Sequence, residues 1–247
     1  MRVTRIYQPQ PLITGRVINL SKMAAHHLQC VLRSTVGKNF ILFNGEGGEY
    51  SAKISAINKN YVQVEVGQYY PVQRESSLNV VLCQAVLRSE KMDYVLQKAV
   101  ELGVAQVIPL LTERCALKLS AERWDKRWLH WQAIMIAACE QSGRTKLPHI
   151  AKPQSFAQAI DHSKRGLGIL LTPGAPRMIQ QLVLSSLELT LLVGPEGGWS
   201  EQELALAQAL GYQFIQLGPR VLRTETAGVV ALTLLQGNFG DMVPTLV

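Results

Sequence analysis

Over the first seventy residues, apolar positions alternate with polar ones in short runs. Residues 38–43 are apolar and β-leaning, and the turn signals Asn44-Gly45 and Gly47-Gly48 follow them. Residues 50–57 alternate, and Asn58-Lys59-Asn60 makes another turn. Val62, Val64 and Val66 then fall on one face of a strand, with Gln63 and Glu65 on the other. Ser21 is placed to cap a short helix through His26, His27 and Leu32. The pattern predicts a small antiparallel barrel carrying one helix.

The polar, proline-containing stretch 69–77 marks a joint, and the period changes after it. Continuous apolar runs at 78–87, 104–111, 167–171 and 189–193, and a shorter one at 214–217, read as buried strands. Between them lie helical patterns at 91–102, 124–142, 201–210 and 224–236, the first closed by Gly103 and the third by Gly211. Buried strands separated by helices predict an α/β unit with a mostly parallel sheet covered on both faces. The expected division is 1–72 and 73–247. Trp124, Trp128 and Trp131 share or border one face of the long helix, where core or dimer packing is the expected role.

Charge refines the picture. The net charge of +7 points weakly toward a polyanionic partner, and its distribution points further. Residues 1–72 hold eight Lys or Arg against three acids, and 113–152 hold eight against four, whereas 194–247 hold two Arg and five acids. A phosphate-rich ligand is therefore expected at the first two regions. Cys30, Cys83, Cys115 and Cys139 form no CxxC pair, which argues against a zinc knuckle or a disulfide framework; buried thiols in a reducing cytosol are expected. No signal-like segment opens the chain, and no apolar run reaches the roughly 20 residues that span a bilayer.

The chemistry concentrates in loops after the late strands. In 191–200 a buried strand runs into Gly194-Pro195-Glu196-Gly197-Gly198, then a helix with Ser200 as cap and Glu203 in the capping-box position. Glycines let a backbone approach a ligand closely, and a helix start offers unpaired N–H groups. The segment lacks the Gly-Lys-Ser/Thr of a Walker loop and the spacing of a Rossmann fingerprint. Glu196 also disfavours a phosphate and suits a ligand with cationic or hydroxyl groups. The bland alternative is a tight turn with nothing bound. A second loop, 217–227, contains Gly218-Pro219-Arg220 and Arg223-Thr224-Glu225, with Thr224 as expected cap; here the bland alternative is a surface ion pair between Arg223 and Glu225. A third, Leu171-Thr172-Pro173-Gly174, follows another strand. Three such strand-end loops can converge on one pocket.

The segments 192–198 and 217–227 resemble the signatures of the SPOUT, or trefoil-knot, RNA methyltransferases. The closest resemblance is to the bacterial family that methylates N3 of a uridine in 16S ribosomal RNA. The junction Lys98-Ala99-Val100-Glu101-Leu102-Gly103-Val104, the helix end Glu140-Gln141-Ser142-Gly143-Arg144, the stretch from His26 to Arg33 and Phe43-Asn44-Gly45 agree with it. The resemblance spans nearly the whole chain. It implies a PUA-like, RNA-binding barrel at 1–72 and a knotted methyltransferase domain at 73–247. It also implies a cytoplasmic homodimer acting on 16S ribosomal RNA, with S-adenosylmethionine as cofactor and no metal.

Carried onto this sequence, the resemblance places the cofactor at Leu171, Thr172, Gly174, Val193, Gly194, Glu196, Gly197, Leu217, Gly218, Leu222, Thr226 and Ala227. Uridine N3 bears a proton between two carbonyls and is a poor nucleophile until that proton leaves. Arg223 is the expected stabiliser of the ring's negative charge, and Glu225 either orients it or accepts the proton. A carboxylate near an arginine is a better orienter than base. N3 lies on the Watson–Crick edge, so the target base must be unpaired or displaced. Expected RNA contacts are Arg2, Arg5, Arg16, Arg33 and Arg144, with 114–126 as a further stretch; a solvated basic surface is the alternative for each. His26 and His27 are read as ordinary polar groups. The same fold acting on another RNA base, and a non-enzymatic RNA-binding assembly factor, are the alternative functions.

Overall fold

In the computed structural model, residues 3–115, 117, 119–160 and 166–242 are described. Two compact units emerge: Met1–Glu75 with Cys139–Leu147, and Ser76–Ala138 with Pro148–Val247.

The first unit contains β1 (Arg5–Tyr7), β2 (Val17–Asn19), α1 (Lys22–His26), β3 (Asn39–Phe43), β4 (Glu49–Asn58) and β5 (Tyr61–Tyr70). The sheet order is β1-β3-β4-β5-β2. Its pairings are antiparallel except β1 on β3, which is parallel. The alternation seen in sequence becomes the core: Val62, Val64 and Val66 turn inward onto Ile6, Leu28, Phe40, Leu42 and Ile54. Ser21 caps α1 as expected, its hydroxyl accepting from Ala24 N at 3.3 Å. The helix then widens into a π-turn over His27–Val31. β5 outruns its apolar alternation because Tyr69 and Tyr70 still pair with Tyr50 and Glu49 of β4.

Residues 139–147 complete this unit. Arg144 is buried, and its guanidinium holds Glu75 Oε2 through Nε at 2.9 Å and Nη2 at 2.6 Å. The other Glu75 oxygen accepts from the amides of Thr145 and Lys146. Glu140 accepts from the Tyr7 amide at 2.9 Å, and burial pushes its carboxyl above the usual range.

The second unit contains β6 (Asn79–Ala85), α2 (Ser89–Glu101), β7 (Gln106–Leu111), β8 (His149–Ile150), β9 (Gln154–Ser155), α4 (Phe156–Ile160) and β10 (Leu167–Leu171). It continues with β11 (Arg177–Met178), β12 (Glu188–Val193), α5 (Glu201–Ala209), β13 (Gln213–Gln216) and α6 (Thr224–Phe239). The long helix α3 (Ala121–Ser142) starts here, and its last residues belong to the first unit. The sheet order is β11-β13-β10-β12-β6-β7-β8, with β9 also on β7, and every pairing is parallel. The continuous apolar runs are the central strands β6, β7, β10 and β12, buried on both faces as the sequence predicts. The tryptophans of α3 serve packing: Trp131 is fully buried and lies 6.4 Å from Trp124, while Trp128 Nε1 donates to Ile150 O.

Gln236, near the end of α6, ties this unit together. Its side chain is fully buried, donates to Leu102 O at 3.0 Å and accepts from Ser76 Oγ at 2.7 Å. Gln236→Ala leaves both partners without it and should destabilise the unit by about 1–3 kcal/mol. The check is urea unfolding, where the midpoint should fall at an unchanged slope.

The thiols divide by burial. Cys83 and Cys139 are buried, Cys115 is partly covered and Cys30 is exposed, so the expectation of four buried thiols holds for two. Burial pushes the Cys139 thiol up to about 12 and raises Cys83 as well. In the native protein an alkylating reagent at pH 8 should modify Cys30 rapidly and spare Cys83 and Cys139. Equal rates at all sites, followed by peptide mass spectrometry, would refute this.

Candidate active site

The pocket is built where parallel strands end. β10 delivers Leu171, Thr172 and Pro173, β12 delivers Val193 to Glu196, and β13 delivers Leu217 and Gly218 into the segment that opens α6. These three loops surround a pocket of about 680 Å³, within the size range of small-molecule and cofactor sites. All of it belongs to the second unit. Ligands bind at the carboxyl ends of parallel strands because the loops there are free to vary on a fixed sheet.

The expected capping box at Ser200 forms. Ser200 Oγ accepts from Glu203 N at 3.2 Å, and Glu203 Oε2 accepts from Ser200 N at 2.9 Å. Glu203 Oε1 also accepts from Glu113 N, which pins the 112–115 loop beside the glycine loop. Trp199 is the second brace. Its Nε1 donates to Leu171 O at 2.9 Å, and its ring meets Phe156 edge-on. Gly194 is required by close approach: a Cβ there would lie 2.8 Å from the Trp199 indole. Gly218 is required by its backbone, at φ +105°.

The structure gathers Leu171, Thr172, Val193, Gly194, Glu196, Leu217, Gly218, Leu222, Arg223 and Ala227 around one space. It does not bring Gly174, Gly197, Thr226 or Glu225 to the pocket wall. Gly197 packs against Arg114, whose Nη1 donates to its carbonyl at 3.0 Å. Thr226 is exposed on α6, because Arg223 and Ala227 share a face from which position 226 is rotated away. Thr224 is the first helical residue and Arg223 the cap, without a side-chain bond to the helix.

Sequence reasoning missed Arg88, Lys91 and Trp199. Lys91 is central. Its ammonium hydrogen-bonds Glu196 and lies 3.3 Å from Glu225 Oε1. That contact gives Glu225 an ion-pair partner on α2, whereas the alternative reading of this segment paired it with Arg223. The hydrogen bond that Lys91 donates to Glu196 raises the Lys91 pKa and holds the Glu196 carboxyl below its usual range. Glu225 Oε2 is buried and has no hydrogen-bond partner among the described residues. A lysine in the first turn of the helix after β6, an early strand of the same sheet, was the available signal.

The expected RNA contacts separate into two groups. Arg16 and Arg33 are exposed, and Arg33 carries a left-handed backbone at φ +46°. Arg5 and Arg144 are corrections. Arg5 is paired with Glu49 and lies over the Phe43 ring, and Arg144 is enclosed by Glu75. Both guanidiniums hold the first unit together rather than presenting charge to a polyanion. Arg2 lies outside the described residues, as do 116 and 118 of the 114–126 stretch. His27 sits 3.6 Å from Glu140. Among the described residues no group of His, Cys, Asp or Glu is arranged to hold a metal, and no helix is long and apolar enough to cross a membrane.

Comparison with known proteins defines the class. Residues 74–236 match the RNA methyltransferase domain family, and residues 20–67 match the RNA methyltransferase PUA domain. The ribosomal RNA small subunit methyltransferase E of Buchnera aphidicola subsp. Schizaphis graminum is 34% identical, over 98% of both chains. The enzyme of the same name from Neisseria gonorrhoeae, solved bound to S-adenosyl methionine, is 34% identical. It superposes with a TM-score of 0.91 over 98% of this chain and 100% of that one. A Legionella pneumophila protein solved with the cofactor SAM is 39% identical, with a TM-score of 0.95 over 98% and 100% of the two chains. The chain belongs to the family of ribosomal RNA small subunit methyltransferase E, a SPOUT family.

Proposed function

We propose that this protein transfers the methyl group of S-adenosylmethionine to N3 of a specific uridine in 16S ribosomal RNA. The observation that carries the reading is the convergence of three strand-end loops and Arg223 on one pocket, in a chain of this family. The lining suits the cofactor. Leu171, Val193, Ile215, Leu217 and Leu222 offer apolar surface for an adenine. The open space beside the Gly218 α-carbon admits a ligand against the backbone, and no phosphate-binding fingerprint is present. Bound there, S-adenosylmethionine supplies a methyl carbon made electrophilic by its sulfonium.

The protein's own residues do the rest. Backbone groups of the Gly194 and Gly218 loops hold adenine, ribose and the methionine part. Arg223, which lines the pocket, hydrogen-bonds a uracil carbonyl and stabilises the negative charge that grows on the ring as N3 passes its proton to solvent water. Lys91, 3.3 Å from Glu225 Oε1, holds that side chain in place beside the start of α6, which suits Glu225 to an orienting role. Holding the target base against the methyl donor would supply much of the rate gain through placement.

The division of labour follows the resemblance: a PUA-like domain over 1–72 grips RNA, and 73–247 carries the chemistry in a trefoil-knotted domain. The homodimer belongs to the same reading. α6 supports it by leaving Val229, Val230 and Leu234 only half-buried in the single chain. A cytoplasmic location follows from the substrate.

Mass mapping of ribosomal RNA from cells lacking the gene tests the reaction. One N3-methyluridine should vanish from 16S RNA and return with the wild-type gene. Loss of a ribose methyl or of another modified base would refute the assignment. No change in any RNA, together with no binding of S-adenosylmethionine by calorimetry, would favour an assembly factor.

A further inference from the structure

A second hollow, of about 350 Å³, lies between the start of α2 and one face of α3. Ser89 and Asp93 line it from α2, and Arg123, Lys126, Arg127 and His130 line it from α3. The four α3 residues stand at i, i+3, i+4 and i+7, so they form one stripe of a single helix face. Neighbouring like charges on a helix repel one another. One carboxylate, Asp93, lines the same space, and its Oδ2 lies 2.8 Å from His130 Nε2. Lys126 has its contact with Glu122 on its own helix, and both side chains are about three-quarters exposed, so that pair is weak and readily exchanged.

Arg127 donates through Nη2 to Ser89 Oγ at 2.9 Å, while its Nη1 has no hydrogen-bond partner among the described residues. α2 begins at this point without a side-chain cap, so its first amides add their positive end to the same place. Three cations against a single carboxylate that is hydrogen-bonded to His130, beside an uncapped helix start, make a site for an anion.

Its position gives the anion a meaning. Arg88 and Lys91 line the methyl pocket, while Ser89 and Asp93 line the hollow. Arg88 and Ser89 are consecutive, with α-carbons about 3.8 Å apart. One turn of α2 is thus the wall between the two spaces.

We propose that this hollow binds a backbone phosphodiester of the RNA substrate, close along the strand to the nucleotide whose base enters the methyl pocket. The inference rests on the RNA methyltransferase reading and adds where the strand is held. Phosphate contacts carry no sequence information but set register, and here they present the correct base to Arg223.

The test uses the full chain and the double variant Arg123→Ala/Lys126→Ala, two exposed positions whose loss leaves the core intact. Binding of undermethylated 16S ribosomal RNA is titrated between 50 and 200 mM salt, about the range where counterion release is read. The variant should bind about tenfold more weakly at the lower salt, and its log–log salt slope should be shallower by about one, the loss of a single phosphate contact. Affinity for S-adenosylmethionine should not change, and Arg123→Lys/Lys126→Arg should restore RNA binding. An unchanged slope and affinity would overturn the proposal, and so would a parallel loss of S-adenosylmethionine binding. Inorganic phosphate at millimolar concentration should compete weakly with the RNA in the wild type and not in the variant; equal competition in both places the phosphate contact elsewhere. Methylation by both proteins with equal RNA affinity removes the phosphate site and leaves the function standing. RNA binding with the expected slope change, but no methyl transfer by the wild type, does the reverse.

Discussion

Arg223→Ala should lower kcat for methyl transfer by about 10²- to 10³-fold, a few kcal/mol of transition-state stabilisation, while S-adenosylmethionine binds almost as before. The guanidinium lines the pocket from the residue that caps α6, so its Cα is fixed by the helix behind it. Its charge is felt across the site, since it helps to hold the Glu196 carboxyl below its usual range. The charge to be stabilised exists only once N3 has begun to lose its proton. Removing the arginine should therefore change kcat far more than KM for RNA. Arg223→Lys should recover only part of the rate, because an ammonium lacks the planar fork that can bond a carbonyl from two N–H groups. Single-turnover methylation with tritiated donor measures this. An unchanged kcat would remove Arg223 from the chemistry, and a matching collapse of donor affinity would make it a binding residue.

Gly194→Ala should weaken S-adenosylmethionine binding by tenfold or more, on the order of 1–3 kcal/mol, through overpacking rather than lost contacts. The added methyl would meet the Trp199 indole at 2.8 Å, so one of the two must move. The indole is braced on both sides, by Leu171 O and by Phe156, and its displacement would carry the β10 loop away from the β12 loop. Both loops line the same pocket. Calorimetric titration reads the effect directly. Combining Gly194→Ala with Trp199→Leu, which vacates the space, should return part of the affinity. Wild-type binding by the single variant would show that the loops tolerate a side chain at this position.

The central strands and the glycine loops were readable because each has a local cause. A strand buried on both faces must be apolar throughout, as in β6 and β12, and a loop that lets a backbone approach closely must contain glycine. The capping box at Ser200 and Glu203 is likewise encoded within four residues. Strands of two or three residues, such as β1, β8, β9 and β11, carry no period and were not readable. Arg5 and Arg144 look in sequence like any basic surface residue. Their burial is decided by Glu49 and Glu75, which lie 44 and 69 residues away. Lys91 escaped notice for the same reason: its two acids, one in the β12 loop and one in the first turn of α6, come more than a hundred residues later, and neither local spacing nor composition connects them.

The closing of the first unit by residues 139–147 bears on how the chain is made. Tyr7 waits for Glu140, 133 positions later, and Glu75 waits for Arg144. A nascent chain emerging at about 5–20 residues per second therefore spends several seconds with the five-stranded sheet synthesised and its closing partners still untranslated. During that interval the Glu75 carboxylate and the Tyr7 amide face water instead of Arg144 and Glu140. The N-terminal part is first in the message but is completed only when more than half of the polypeptide has been translated.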